Sequence, residues 1–516
     1  MISANKQIKI GAVVSYLSIA VNILAGFIYT PWMIEKIGKG DYGLYTLANS
    51  LITLFLVDFG LGSAISRYIA KYRAEGSQDK IDNFLGIVYK MYLIIDAVIL
   101  VALTVLFFFI DRIYVKLTPD ELEKFKVVYL ISASFAVINF PFVTLNGILN
   151  SYEEFIHLKL ADVIYRVLLI AVTVVALLMG QGLYALVTVH AIVGLIIIAY
   201  KLIVLKRRVD LKINWKYSDR SLCKDIFGFS IWVTISTLAQ RLVFNITPSI
   251  LGAVANSAAI AVFGIVTTIE GYAYTFTTAI NGMFMPRISR IYEQGHEDEE
   301  LMPLLMNVGK FQYALNGLIV AGFAVVGKTF INLWMDSTFS DAYYGILLVI
   351  IPGLFFNSLQ IANTAMIVRK KVNLQALINL GMGVINVVLS LILSRKFGVI
   401  GASISIFTAY MIRAVALLIV YKKVLMLDMS AFVKNCYVRM SIPILITIGF
   451  GFLMNYFIID ILMNYFIIDK GWFVLFGKGI AVLIVYALTV IGFGLTRNER
   501  KNIFKIKSRG SKNVTF

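Results

Sequence analysis

The chain alternates between long apolar runs and short polar connections. Each run is close to the ~20 residues that an α-helix needs to cross the roughly 30 Å hydrocarbon core of a bilayer. None shows the strict alternation of a barrel strand. Fourteen spans are predicted, at 10–34, 42–66, 85–110, 127–149, 156–179, 182–205, 226–250, 258–282, 311–334, 344–368, 373–394, 398–421, 440–459 and 472–495. The pattern therefore predicts an all-α polytopic membrane protein.

Composition supports this and allows the chain to be oriented. Of the 516 residues, 59% are hydrophobic and 15% charged, which is outside the range of soluble domains, and the net charge is +18. When residues near a span end are assigned to the adjacent side, 33 of the 47 Lys and Arg fall on the side of the N-terminus, 11 on the other side, and three lie deep inside spans. This bias predicts that both termini are cytoplasmic. The basic surplus is thus explained by topology, and no nucleic-acid partner is expected.

Prolines inside the spans indicate an internal duplication. Pro31, Pro141, Pro248 and Pro352 fall in spans one, four, seven and ten, so a six-span repeat superimposes them in pairs. The predicted organisation is an N-lobe at 1–205, a basic linker at 206–225, a C-lobe at 226–424, a further helix pair at 425–495 and a basic tail at 496–516. An even repeat relates the lobes by a pseudo-two-fold axis along the membrane normal. The prolines are either flexible bends or static kinks.

Two spans carry polar side chains at helical spacing. The stripe in span seven contains Thr234, Thr237, Arg241, Asn245 and Pro248. The stripe in span eight contains Thr267, Glu270, Tyr274, Thr278 and Asn281. If the stripes face each other, they line a hydrated cavity with a cation opposite an anion. The alternative is a structural Arg241–Glu270 ion pair inside one lobe.

Other charges within the apolar runs also need a reason, since an unpaired charge in lipid costs several kcal/mol. They are Asp58, Asp96, Asp162 with Arg166, and Arg413. Because Asp162 and Arg166 are four residues apart, a local ion pair is the favoured interpretation for them. Asp96 lacks a helical partner and is a candidate ion or proton site. Asn357, Gln360 and Thr364 share a face of span ten, as cavity groups or as interhelical hydrogen bonds.

The chain offers little catalytic chemistry. It has three His, no paired Cys or His ligands, no phosphate-binding loop of the Walker type and no nucleophile elbow. We therefore expect a secondary transporter rather than an enzyme, without a cofactor or a metal site. The coupling ion is expected to be H⁺ or Na⁺.

The stretch KIGKGDYGLYTLANSLITLFLVDFGLGSAISRYIAKYRAEG, at 36–76, resembles the start of the Wzx-type polysaccharide and O-antigen repeat-unit flippases. These belong to the multidrug/oligosaccharidyl-lipid/polysaccharide superfamily. The resemblance implies two lobes that alternate access to either side of the bacterial inner membrane. It implies an undecaprenyl-pyrophosphate-linked oligosaccharide as cargo, a groove for its tail at the last two spans, and contact with membrane lipids, a polysaccharide polymerase and glycosyltransferases.

The same resemblance assigns roles to particular residues. A cationic cavity that holds the cargo would be formed by Arg241, Arg166 and Arg413, with Asn245, Thr237 and Gln360. Ion coupling would fall to Glu270, Asp96 or Asp58. One alternative is a drug exporter of the multidrug and toxin extrusion branch, although that branch favours a net acidic cavity. Another is a non-transporting scaffold for envelope enzymes, which leaves the polar stripes unexplained.

Overall fold

A computed structural model describes residues 23–57, 59–209, 212–278, 284–465, 471–496 and 499–500. Within these ranges the regular structure is helical and contains no strand. The predicted all-α membrane fold is confirmed. Asp58, Asn281 and the first half of the first predicted span lie outside the described residues. The chain forms two compact units, one of residues 1–265 and 375–405, the other of residues 266–374 and 406–516.

Unit 1 contains the helices from the N-terminal half of the chain. They are α1 (23–37), α2 (Lys39–Phe55), α3 (Leu61–Ala74), α4 (Gln78–Ile113), α5 (Pro119–Asn139), α6 (Thr144–Ser151), α7 (Phe155–Leu178), α8 (Leu183–Arg208), α9 (Arg220–Phe244), α10 (Ile246–Val254) and the first turns of α11 (Ser257–Thr278). Residues 375–405 of α16 (Val372–Val424) complete it.

Unit 2 contains the rest of α11 and of α16. Its other helices are α12 (Met285–Glu293), α13 (Glu297–Trp334), α14 (Asp341–Asn357), α15 (Gln360–Val368), α17 (Met429–Phe432), α18 (Arg439–Tyr465) and α19 (Trp472–Thr489). The two C-terminal helices pack on α13, where Tyr486 donates a hydrogen bond to the Ala314 carbonyl at 2.7 Å. At the end of the described chain Lys310 forms an ion pair with Glu499 at 2.7 Å.

Nine helices in the described ranges are long and apolar enough to cross a membrane, and a tenth span results if α14 and α15 are counted together. The predicted number of fourteen is not reached by this count and stays a prediction. One reason is α16, whose 53 residues are counted once. At 1.5 Å per residue such a helix would be about 80 Å long, far more than one bilayer core. Gly398, with φ 53°, interrupts it between the predicted eleventh and twelfth spans.

Helix breaks lie near three of the four prolines that the repeat brought into register, while Pro31 lies inside the continuous helix α1. Pro141 lies in a single 3₁₀ turn, Phe140–Val143, between α5 and α6. Pro248 follows the break between α9 and α10 at Asn245. Pro352 lies inside α14, which meets α15 at an angle of 54°. Because proline lacks an N–H, each leaves the carbonyl four residues earlier without its helical partner, which fits the breaks beside Pro141 and Pro248, whereas the bend after α14 lies several residues beyond Pro352.

The single span predicted at 42–66 is two helices in the structure. Phe59 and Gly60 separate α2 from α3, and both have positive φ, at 52° and 67°. A hydropathy pattern does not detect such a break, because the residues around it are as apolar as the helices that they separate.

The unit boundaries differ from the predicted lobes, because residues 246–265 pack against α2, α4 and α5. Tyr114 and Ser249 share a hydrogen bond of 2.7 Å. Ser257 hydrogen-bonds to Glu121, and its carbonyl occupies the place that a Cβ on Gly43 would take. The six-span lobes stay a prediction, and this seam joins the ends of helices predicted to lie near the outer face.

Candidate functional site

Each unit contains a cluster of polar side chains at membrane depth. We call the first the unit 1 cavity and the second the unit 2 cluster. The unit 1 cavity, of about 250 Å³, is lined by Tyr45, Asn49, Ile52, Thr53, Leu56, Ser132, Phe135, Ala136, Asn139, Val187 and His190. The unit 2 cluster consists of Glu270, Tyr274, Tyr410 and Arg413, with the neighbouring amides Asn316 and Asn357.

Helical spacing brings the unit 1 cavity together from three helices. Tyr45, Asn49 and Thr53 follow one another at intervals of four on α2, so they lie on one face. Ser132 and Asn139 are seven apart on α5, which is two turns on one face. The third wall comes from α8. The result is a cavity in which hydroxyl and amide groups alternate with apolar side chains.

His190 is held in place by aromatic rings on both sides. Its ring centroid lies 5.7 Å from that of Phe135 and 5.9 Å from that of Tyr165, with interplanar angles of 85° and 90°. Such edge-to-face contacts each contribute about 0.5–1.5 kcal/mol beyond simple burial. The imidazole is therefore fixed in orientation at the cavity wall.

Arg166 lies next to this cavity. Its guanidinium interacts electrostatically with the phenols of Tyr29, Tyr45 and Tyr165, of which Tyr45 lines the cavity. The Nε of Arg166 is buried and makes no hydrogen bond within the described residues. The structure thus brings this predicted cationic residue to a polar site on α7, α2 and α1.

The local ion pair expected between Asp162 and Arg166 is not among the ion pairs of the described ranges, and that interpretation is wrong. Asp162 instead pairs with Lys159 at 3.6 Å, three residues earlier on α7. Its side chain is 54% exposed, whereas Arg166 is half-buried among tyrosines. The two side chains leave the helix in different directions, which spacing alone does not reveal.

In unit 2, Arg413 and Glu270 belong to one electrostatic group. Both interact with the phenols of Tyr274 and Tyr410. The guanidinium of Arg413 lies 5.4 Å from the ring centroid of Phe356 and 5.7 Å from that of Tyr410. A desolvated cation over an aromatic face gains up to about 2 kcal/mol. Aromatic rings and phenols therefore stabilise the Arg413 cation at membrane depth.

An amide network adjoins Glu270. Asn357 donates to Thr277 Oγ1 and to Asn316 Oδ1, both at 3.1 Å, and Asn316 donates to the Gln312 carbonyl at 2.8 Å. Beside it lies a cavity of about 20 Å³ that is lined by Glu270, Tyr274, Asn316 and Asn357 among others. That volume is on the order of one water molecule or one small cation.

The other predicted site residues lie elsewhere in their units. Thr237, Arg241 and Asn245 are half-buried on α9 and at its end in unit 1. Arg241 lies in the last turn of α9, where the helix dipole favours a cation. Gln360 begins α15 in unit 2. The facing of the span-seven and span-eight stripes stays a prediction, because Arg241 and Glu270 belong to different units.

The two remaining ion-coupling candidates are separate from both sites. Asp96 is half-buried on α4, and its Oδ1 makes no hydrogen bond within the described residues. Asp58 lies outside these residues. In the parts of the chain that the structure covers, no group of three His, Cys, Asp or Glu is arranged to hold a metal ion.

Sequence reasoning missed most of the unit 1 cavity. Asn49, Ser132 and Asn139 are uncharged polar residues that membrane helices tolerate, so none stood out singly, and His190 was considered only as a catalytic or metal-binding residue. A signal was nevertheless present, since Tyr45, Asn49 and Thr53 recur at the spacing that identified the stripe in span seven.

A third feature is an apolar groove of about 530 Å³ beside the C-terminal helices of unit 2. Most of its walls come from α13 and α19, and they include Phe311, Tyr486 and Ile491. The Lys310–Glu499 ion pair lies at one end of it.

The fold is similar to solved transporters over almost its whole length. A lipid II flippase MurJ in an inward closed conformation superimposes with a TM-score of 0.66 at 15% identity, covering 93% of this chain and 98% of that one. An inward-facing multidrug resistance MATE family transporter of the MOP superfamily gives 0.66 at 16%, covering 82% and 99%. A MOP superfamily transporter from Pyrococcus furiosus gives 0.59 at 15%, covering 83% and 96%.

These likenesses define the class: a polytopic membrane protein with the fold of the MOP-superfamily flippases and transporters. Within it, residues 9–292 match the family of polysaccharide biosynthesis proteins, and the chain belongs to that family. The predicted family is confirmed, and the solved structures that share this fold are those of flippases and transporters rather than enzymes. A comparison with curated protein sequences gave no match.

Proposed function

We propose that the protein flips an undecaprenyl-pyrophosphate-linked oligosaccharide repeat unit from the inner to the outer leaflet of the bacterial cytoplasmic membrane. The observation that carries this proposal is the family match over residues 9–292, in a chain that holds half-buried arginines among phenols at membrane depth. Both termini would lie in the cytoplasm. A polysaccharide polymerase and glycosyltransferases would act on the same cargo.

The physical problem in flipping such a lipid lies in its head group. Transfer of a pyrophosphate and sugars through hydrocarbon would leave charges and hydroxyls without partners, at a cost of many kcal/mol. The polyprenyl tail never needs to leave the bilayer. A polar path that admits the head from the side removes the desolvation penalty while the tail stays in lipid.

Arginines suit the pyrophosphate because a guanidinium donates two parallel hydrogen bonds to phosphate oxygens. We assign this role to Arg241, Arg166 and Arg413. Thr237, Asn245 and Gln360 would add neutral hydrogen bonds to the head. The apolar groove beside α19 is wide enough to hold part of the polyprenyl tail.

Net export requires that the cargo bind differently in the two access states and that an ion gradient bias those states. We assign coupling to H⁺ or Na⁺ at Glu270, which borders the small cavity next to Asn316 and Asn357. Carboxylate and amide oxygens are the ligands that hard cations prefer, and a carboxyl group can equally carry a proton. Asp96 and Asp58 are further coupling candidates.

A drug exporter is the second candidate function, favoured by the similarity to MATE transporters and by the acid at position 270. Proteoliposomes separate the two. With an imposed H⁺ or Na⁺ gradient, a flippase should expose the lipid-linked oligosaccharide to a glycosidase outside, above the level of protein-free vesicles. Gradient-driven movement of a fluorescent organic cation, without exposure of the sugar, would contradict the flippase assignment and support the exporter.

Arg241 provides a test in cells. Arg241→Ala should lower surface polysaccharide at least tenfold in a complementation assay, because the pyrophosphate loses a bidentate partner. The neighbouring exposed Gln240 gives a matched control, since Gln240→Ala should export normally. Both variants should insert at wild-type levels on immunoblots of membranes. Undiminished export by Arg241→Ala would remove this residue from the cargo site.

A further inference from the structure

The unit 1 cavity has a chemistry that the pyrophosphate does not need. Its eleven lining residues include no Asp, Glu, Lys or Arg. A charged ligand would find no counter-charge on these walls, and burying an unpaired ion is costly. A purely apolar ligand is equally unsuitable, because it would leave the amides and hydroxyls without hydrogen bonds. The lining therefore selects a ligand that is neutral and rich in hydrogen-bonding groups.

The particular polar groups favour a ligand with hydroxyls. Asn139 offers an acceptor oxygen and two donor hydrogens, Asn49 keeps further positions besides its hydrogen bond with Tyr45, and Ser132 and Thr53 can both donate and accept. A sugar hydroxyl also donates and accepts at once, so an amide can bridge two adjacent hydroxyls. Tyr45 and Phe135 add aromatic surface against which the apolar C–H face of a sugar ring can pack.

Size limits the ligand further. A cavity of about 250 Å³ is below the roughly 300–1,000 Å³ of sites for drug-sized molecules. One monosaccharide ring is the natural scale for such a space, and a longer oligosaccharide would have to extend out of it.

The neighbourhood of Arg166 indicates which sugar this would be. Tyr45 lines the cavity and interacts with the Arg166 guanidinium, and Tyr165 contacts both Arg166 and His190. A pyrophosphate at Arg166 would place the sugar bonded to it at the cavity. The first sugar of a lipid-linked cargo is joined to the pyrophosphate directly, so the geometry matches this order.

We infer that the unit 1 cavity is a neutral sugar-binding subsite that recognises the monosaccharide next to the pyrophosphate of the cargo. The inference rests on the proposed function for its choice of cargo. Asn49, Asn139, Ser132 and His190 act as specificity residues through hydrogen bonds to sugar hydroxyls. A site built to bond hydroxyls discriminates strongly against ligands that lack them, since its own polar groups are then left unpaired.

Binding tests this independently of transport. Purified protein in nanodiscs is titrated with undecaprenyl pyrophosphate alone and with the same lipid carrying one hexose or one N-acetylhexosamine, followed by native mass spectrometry. The wild type should bind at least one of the sugar-bearing lipids about tenfold more tightly than the bare lipid. Asn139→Ala and Ser132→Ala should reduce that preference without changing affinity for the bare lipid.

Two further variants distinguish loss of the cavity from loss of the fold. Ser134→Ala, on the exposed side of the same helix, is the matched control and should keep the full preference. Ala136→Met fills the cavity without removing a polar group and should abolish the preference. Thermal unfolding of each variant checks that the fold is retained.

The outcomes separate the two proposals. Equal binding of all the lipids by the wild type, or a preference that survives both Asn139→Ala and Ala136→Met, would overturn the subsite. A preference that follows the cavity variants supports it, even if proteoliposomes show no flipping. That last result would count against the proposed transport function alone.

Discussion

The unit 1 cavity and the unit 2 cluster hold opposite chemistries, and the predicted six-span repeat would place them on corresponding helices. Under the predicted six-span repeat, spans two, four and six of the N-lobe correspond to spans eight, ten and twelve of the C-lobe. The unit 1 cavity draws on α2, α5 and α8, and the unit 2 cluster on α11, α14 and the second half of α16, with Asn316 added from α13. One is a space of about 250 Å³ with neutral walls, the other a space of about 20 Å³ beside a carboxyl group.

The difference shows how charge and volume are linked inside a membrane protein. A carboxylate and a guanidinium at membrane depth require nearby phenols, amides and rings, so their surroundings close around them. Neutral amides and hydroxyls tolerate an open cavity, because water or a ligand can complete their hydrogen bonds. A duplicated scaffold can therefore serve ion coupling in one half and cargo recognition in the other.

The strongest test of this difference between the two sites is to neutralise the Glu270 carboxylate. Glu270→Gln keeps the size of the side chain and removes its charge, so we expect flipping in proteoliposomes to lose its acceleration by an ion gradient, a drop of tenfold or more. His190→Gln, the corresponding change in the unit 1 cavity, should keep the response to the gradient. The measurement is the ratio of initial rates with and without the gradient. Division of roles between the sites would be refuted if His190→Gln lost that ratio and Glu270→Gln kept it.

The two sites should also differ, by a smaller amount, in how much a substitution lowers the free energy of unfolding. Asn357 is buried and donates to Thr277 and Asn316, so Asn357→Ala leaves partners unsatisfied at a cost of about 1–3 kcal/mol. Asn139 borders an open cavity, and Asn139→Ala should cost under about 1 kcal/mol, since water can replace the amide. Thermal unfolding in one detergent compares the two variants directly. Equal losses would mean that the unit 1 cavity is as tightly bonded as the network in unit 2.

The smallest effect concerns an ion pair outside both sites. Burial raises the pKa of Glu499, but hydrogen bonds from Lys310 and Thr496 outweigh it and hold the pKa below its ordinary value. A lowered folded-state pKa stabilises the fold above the ordinary carboxyl pKa, and the gain disappears as the pH falls through the folded value. Glu499→Gln should thus lower stability at pH 7 by at most about 1 kcal/mol, and the difference should shrink as the pH falls below the ordinary carboxyl pKa. A difference that persisted at low pH would mean that packing, not charge, is lost.

Much of the fold could be predicted because every span must be an apolar helix long enough to cross the hydrocarbon core. Apolar length identifies membrane segments without knowledge of any contact, and the distribution of Lys and Arg predicts an orientation, which stays a prediction. Glu270 and Arg413 were found for the same reason, since a charge in an apolar run is conspicuous. The structure then added that they share Tyr274 and Tyr410 as neighbours.

The features that could not be predicted depend on side-chain orientation, on backbone angles and on contacts between residues far apart in the sequence. Spacing suggested that Arg166 pairs with Asp162, yet Arg166 turns towards tyrosines from other helices. The break at Phe59 and Gly60 is a property of backbone angles, which hydropathy does not report. The unit 1 cavity arises only when three helices, distant in sequence, bring moderate polar residues to one place.

The seam between α2 and the start of α11 has a mechanical consequence. Since the Ser257 carbonyl fills the place of a side chain on Gly43, the two backbones approach closely there, and side chains such as Leu47 and Thr46 pack on Gly252 and Gly264 on either side. Two hydrogen bonds, Tyr114 to Ser249 and Glu121 to Ser257, hold the surfaces nearby. Because few hydrogen bonds hold this seam, we expect it to separate at low cost and to close again in the same register. A larger side chain at position 43 should keep the two backbones apart.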